Sequence, residues 1–144
     1  MAITQALANS FKKELLEAEH NFKQTGGDKF KIALYTSSAT LNSATTSFTT
    51  TNEVANSGQY TSGGGALSNL GTSIASGVAI VDYADRSFTG VTLTARGALI
   101  YNTSATVANA AVAALDFGAD KTATSGTFTI QFPAFTTSAA ILRI

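Results

Sequence analysis

From Phe30 onward, the apolar residues of this chain fall into short runs of strand type, broken by Gly, Asn and Ser. GTFTIQF at 126–132 alternates strictly. Phe128, Ile130 and Phe132 fall on one side, with Thr127, Thr129 and Gln131 on the other. FKIALY places Phe30, Ile32 and Leu34 on one face in the same way. GVAIVDY (77–83) is an apolar run of the buried kind, and VTLTARGALIY (91–101) holds one or two strands with Gly97 as a candidate bulge. AVAALDF (111–117) and AAILRI (139–144) complete the set. The single proline, Pro133, lies just past a strand, where its missing N–H does no harm. Such strands predict a mainly β fold: an antiparallel β-sandwich of jelly-roll-like type, or a barrel.

Residues 1 to about 24 follow a different period. Leu7, Phe11, Leu15, Ala18 and Phe22 recur at steps of four, four, three and four, which lays one apolar stripe along a helix. Gly26 and Gly27 are placed to end it. The chain therefore reads as an N-terminal amphipathic helix (1–26) followed by a β-sandwich (27–144), in a single domain. Two roles for the stripe stay open. Leu7, Phe11, Leu15 and Phe22 form a partner interface, or the helix covers one opening of its own sandwich.

The stretch 37–76 is rich in Ser, Thr, Asn and Gly, with TSGGGAL at its centre. Leu41, Phe48, Val54, Tyr60, Leu67, Leu70 and Ile74 are spaced through it. Long loops and short strands packed on the sandwich are expected, rather than a linker.

Composition removes several function classes. The 144 residues include no cysteine, which excludes thiol chemistry and disulfides, and the single histidine, His20, excludes an imidazole-rich metal site. A net charge of zero gives no electrostatic footprint for nucleic acid or an acidic membrane. Charged residues make up 12%, against about 25% in ordinary globular domains, and a surface so poor in charge invites association. A homo-oligomer, dimer or trimer, is expected. No apolar run approaches the roughly 18 residues that would span a bilayer, and MAITQALANSFKKELLEAEH lacks the order of a signal peptide.

The candidate sites each have a plain structural reading. DFG at 116–118 matches a kinase triplet, but a kinase also needs a glycine-rich phosphate loop, a strand lysine and a catalytic-loop aspartate. Asp116 and Asp120 are expected to serve a turn between two strands, AVAALDF and GTFTIQF, that form a hairpin. TSGGGAL lacks the lysine and hydroxyl of a phosphate loop. His20 is expected at the solvated end of the helix. Asp82, Asp85 and Arg86 are expected to cap a turn or pair across strands, and Asn102-Thr-Ser carries no weight without a secretory signal. No catalytic, cofactor or metal residues are assigned, and no enzyme is expected.

Five phrases together resemble virion structural proteins of tailed bacteriophages: KIALYTSSATL, TNEVANSGQYTSGGGAL, AIVDYADRSFTGVTLTARGALIYN, LDFGADKTATSGTFTIQFP and the terminal ILRI. The likeness runs from about Lys31 to Ile144. It implies a virion component made in the host cytoplasm, with a capsid decoration or cement protein as the favoured kind. Its partners would be the major capsid protein and further copies of itself. A tail, neck or fibre component is the alternative, and a carbohydrate-binding module comes after both.

Overall fold

The computed structural model describes residues 2–144. The fold is mainly β, with two antiparallel sheets and one short helix in a β-sandwich-like arrangement. In chain order the elements are β1 (Ala6–Leu7), α1 (Asn9–Leu16), β2 (Phe30–Tyr35), β3 (Gly65–Ala66), β4 (Asn69–Ala75), β5 (Val78–Tyr83), β6 (Arg86–Asn102), β7 (Ala110–Ile130) and β8 (Leu142–Arg143). One sheet has the order β1-β7-β6-β2-β3 and the other β4-β5-β8. No helix among the described residues is long and apolar enough to cross a membrane.

The predicted N-terminal helix is much shorter than its apolar stripe. Leu7 lies in β1, paired with Ala113 of β7, and the helix begins only at Asn9. It stops after Leu16, and Ala18 takes a left-handed φ of 62°. Phe22 then arrives on a non-helical segment. Leu7, Phe11, Leu15 and Phe22 still reach the core, through three different backbone conformations, while Ala18 is exposed. An eight-residue helix is too short to stand on propensity, so packing of Phe11 and Leu15 holds it in place.

Aromatic rings join the two sheets. Phe22 stacks on Phe30 of β2 at 4.7 Å, and Phe30 meets Tyr83 of β5 at 5.7 Å. Tyr83 in turn meets Phe132 at 5.6 Å, and Phe11 of the helix closes the other end against Phe22 at 5.9 Å. Burying rings of this size is the main apolar gain available to a domain of this length.

The largest correction concerns β6 and β7. AVAALDF and GTFTIQF do not pair with each other. AVAALDF and residues 126–130 of GTFTIQF both belong to β7, which runs antiparallel to β6 from Asn102↔Ala110 to Arg86↔Ile130, and Gln131 and Phe132 follow it. The ladder breaks in the middle: Gly97 faces Asp116, but Ala95 faces Lys121. Arg96 alone therefore stands against residues 117–120, a bulge next to the predicted Gly97. The register also shifts between Phe88 and Val91 and between Val91 and Leu93, and the ribbon bends so sharply that the rings of Phe117 and Phe128, in one strand, lie 6.2 Å apart. The outer half of the ribbon folds back, and Arg86 lies against Gly65 of β3.

Within 37–76, Leu41, Val54, Tyr60 and Leu67 are buried, and Phe48 stacks on Tyr101 at 4.8 Å. Leu70 and Ile74 are exposed.

Candidate functional site

The DFG triplet forms the start of the β7 bulge. Asp116 Oδ1 accepts the N–H of Gly118 at 2.9 Å and that of Arg96 Nε at 3.2 Å. Gly118 sits at φ 80°, a conformation that favours glycine, so residue type and bulge geometry agree. The Gly118 N–H, aided by the Arg96 guanidinium, holds the Asp116 carboxyl below its ordinary value. Asp116 is thus a local cap, as expected, although of a bulge and not a hairpin turn. Asp120 is exposed on the same bulge. Among the described residues, no group of three or more His, Cys, Asp or Glu is gathered as a metal site would need.

TSGGGAL is ordered by Glu53, a residue to which nothing in the sequence draws attention. Its carboxylate accepts from Tyr60 Oη (2.8 Å), Ser62 Oγ (2.8 Å) and Gly63 N–H (2.7 Å). Tyr60 Oη also accepts the Leu34 N–H at 2.8 Å, which ties the loop to β2. Tyr101 Oη donates to the Gly63 carbonyl at 2.6 Å. Gly64 follows at φ 78° with the Ile32 carbonyl where a Cβ would stand, so only glycine fits there. The glycines hold the loop tightly on β2, and the N–H of Gly63 is already used.

His20 is not a solvated surface residue. Its side chain is fully buried between α1 and β6, with the Phe11 ring at 4.9 Å. Asn102 Oδ1 accepts the N–H groups of Ser104 (2.8 Å) and Ala105 (3.3 Å), which fixes the orientation of its amide. Its Nδ2 must then donate to His20 Nδ1 (2.9 Å) and to Asp28 Oδ2 (2.7 Å). Nδ1 is an acceptor, so the ring proton lies on Nε2, facing Glu14 Oε1 at 3.1 Å. Glu14, His20 and Asn102, all buried, form one chain with the half-buried Asp28 that ties the helix to the end of β6. Asn102 is completely buried, so its Asn-Thr-Ser triplet is not an open acceptor in the fold.

The remaining candidates are dispersed. Asp82 accepts the Tyr83 N–H (2.9 Å), and Asp85 accepts the Phe132 N–H (2.8 Å). Arg86 lies over the Phe88 ring at 4.9 Å. They do not converge on one point.

Of the predicted partner interface, Phe11 and Phe22 are buried in the core, and Leu7 and Leu15 are half-buried against it. They do not form an outward stripe. The apolar helix residue that does face solvent is Leu16, 92% exposed. An open groove of about 410 Å³ lies along β7, between Phe117 and Phe128, and is lined by Thr122, Thr127, Thr129 and Gln131. Lys121 is the one charged residue that lines it. Apart from Lys121 its polar lining is neutral.

No protein-family model, curated protein or solved structure matches this chain.

Proposed function

We propose that the chain is a structural component of a bacteriophage virion, and within it a head decoration protein that bridges major capsid proteins as a homo-oligomer. The observation that carries this reading is the resemblance of five phrases, in order, over most of the chain to virion structural proteins. The phrases coincide with positions of strict stereochemical demand. TNEVANSGQYTSGGGAL holds the Glu53 loop, with Gly64 against β2. AIVDYADRSFTGVTLTARGALIYN places Arg86 against Gly65, and LDFGADKTATSGTFTIQFP contains the bulge capped by Asp116. A likeness made of such residues concerns the fold and not composition alone.

The role asks for no catalytic group. A protein over the joints of a shell stabilises it by burying area on several subunits at once, and a body with little internal freedom loses little entropy in doing so. The rings joining the sheets and the Glu14–His20–Asn102–Asp28 chain give that rigidity. A neutral, Thr-rich surface suits contacts made by shape and hydrogen bonds more than by charge.

The test is stoichiometry in purified virions. A copy number comparable to that of the major capsid protein is expected, together with heads that leak DNA on heating when this protein is missing. A few copies that fractionate with tails would move the protein to the tail or neck. Absence from virions would end the reading.

A further inference from the structure

The edge of the smaller sheet has a pattern of unpaired backbone groups that specifies what can bind it. Ala79 of β5 exchanges both backbone bonds with Ile144, each at 2.8 Å. Its N–H and C=O therefore point towards β8 and away from β4. Ile74, opposite Ala79, is in a non-hydrogen-bonded pair, so its own N–H and C=O point to the open side of β4. Val81 pairs with Leu142 in the same phase, which leaves Thr72, opposite Val81, in the same state. Among the described residues, no backbone bond reaches Thr72 or Ile74 from that side.

The side chains here are apolar where the backbone is open. Tyr83, Val81 and Ala79 share one face of β5 by alternation; the first two are buried and Ala79 is exposed. The core-facing side of this sheet therefore runs past the end of the core. Ile74, at 72% exposure, and Ile144, at 64%, lie on that overhang beside Ala79.

Proteins normally blunt such an edge with lysine, proline, a bulge or brevity. Strands β1, β3 and β8 are two residues long, and the outer side of β7 carries Asp120, Lys121 and a bulge. From Thr72 to Ala75, β4 has none of these devices, and no charged residue occurs from Asn69 to Val81.

We propose that β4 is a docking edge for a second copy of this chain, joined antiparallel about a twofold axis at Ser73 into one continuous sheet. The open groups demand an extended strand. Pairing Thr72 of each copy with Ile74 of the other satisfies all of them on both copies at once, so the edge is its own complement. No charge from Asn69 to Val81 selects a different partner, and with zero net charge the two copies do not repel. Ile74 of each copy then comes beside Thr72 of the other, and the two overhanging apolar faces merge. This concerns the isolated chain and does not rest on the virion reading.

Sedimentation of the full chain tests it. A concentration-dependent dimer is expected, which Ile74→Lys converts to a monomer that melts like the dilute wild-type monomer, because the side chain is exposed there. Ser73→Cys, in a chain with no other cysteine, should oxidise to a covalent dimer. Across the axis the two Cα atoms would lie about 4.5 Å apart, within disulfide range. Thr124→Cys, exposed on β7, should not cross-link. A monomer at every concentration overturns the proposal. So does a dimer that survives Ile74→Lys while Ser73→Cys stays uncross-linked.

Discussion

Asn102 donates its side-chain amide to Nδ1 of His20 across 2.9 Å, although 82 positions separate them in the chain. The bond fastens the segment after the helix to the end of the longest ribbon. It also fixes which ring nitrogen carries the proton.

Removing that amide strands several groups together. Asn102→Ala is expected to destabilise the domain by roughly 2–5 kcal/mol, because His20 Nδ1 loses its partner in a buried site and two part-buried backbone N–H groups lose theirs. Thermal melting measures it. A loss within 0.5 kcal/mol, the range of ordinary surface changes, would show that the network contributes nothing.

The helix holds one buried ring, Phe11, and one exposed leucine, Leu16. Phe11→Ala should cost about 3–5 kcal/mol, as for a fully buried ring, and Leu16→Ala should stay within about 0.5 kcal/mol. Denaturant midpoints decide between this and a free docking helix, for which both changes would be mild.

In the ribbon, Phe132→Ala should cost about 3–5 kcal/mol through the contact with Tyr83, and Asp120→Asn less than about 1 kcal/mol. Calcium or magnesium should leave the melting temperature unchanged. A rise that Asp116→Asn and Asp120→Asn together abolish would instead reveal a cation site at the bulge.

Acid should weaken the bulge. The Asp116 carboxyl is held below its ordinary value of 3.8, by the Gly118 N–H first and Arg96 second. Its contribution is therefore present above pH 3.8 and lost as pH falls through the lower folded value. Asp116→Asn should remove that part of the acid dependence, as read from melting temperatures across the acid range. Equal acid profiles for the two proteins would contradict the assignment.

Alkali acts in the other direction. All four tyrosines are raised above 10.0 by burial, Tyr101 to about 12. A raised folded value means stability that is complete below pH 10.0 and lost as pH climbs through the folded values. Tyrosinate absorbance is expected to appear in step with unfolding. Phenols ionising while the fold persists would show that the rings are open to water.

Much of the β fold was legible in the chain because alternation is a local property. FKIALY, VAIVDY and the run ending at Ile130 are strands as their patterns indicate. The partners of AVAALDF and GTFTIQF were not legible. A capped bulge and a hairpin turn use the same Asp and Gly, and only the register against β6 distinguishes them. The helix was over-read because Leu7 and Phe22 keep helical spacing while Ala113 and Phe30 hold them in other conformations. His20 and Glu53 act through residues far away in sequence, and the open groups of β4 depend on the phase of its pairing with β5.

The pairing of β1 with Ala113 and Ala114 sets the order in which this protein can be made. Residues 6 and 7 leave the ribosome early, yet their strand partner is synthesised only after most of the chain. Val81 likewise waits for Leu142. Domains dominated by such distant contacts close in about milliseconds to seconds, far slower than local helices form. During that interval Leu7, Phe11 and Phe22 have no core to enter. The nascent chain therefore presents its N-terminal apolar stripe to chaperones or to neighbouring chains, and a truncation before Ala113 would leave it permanently uncovered.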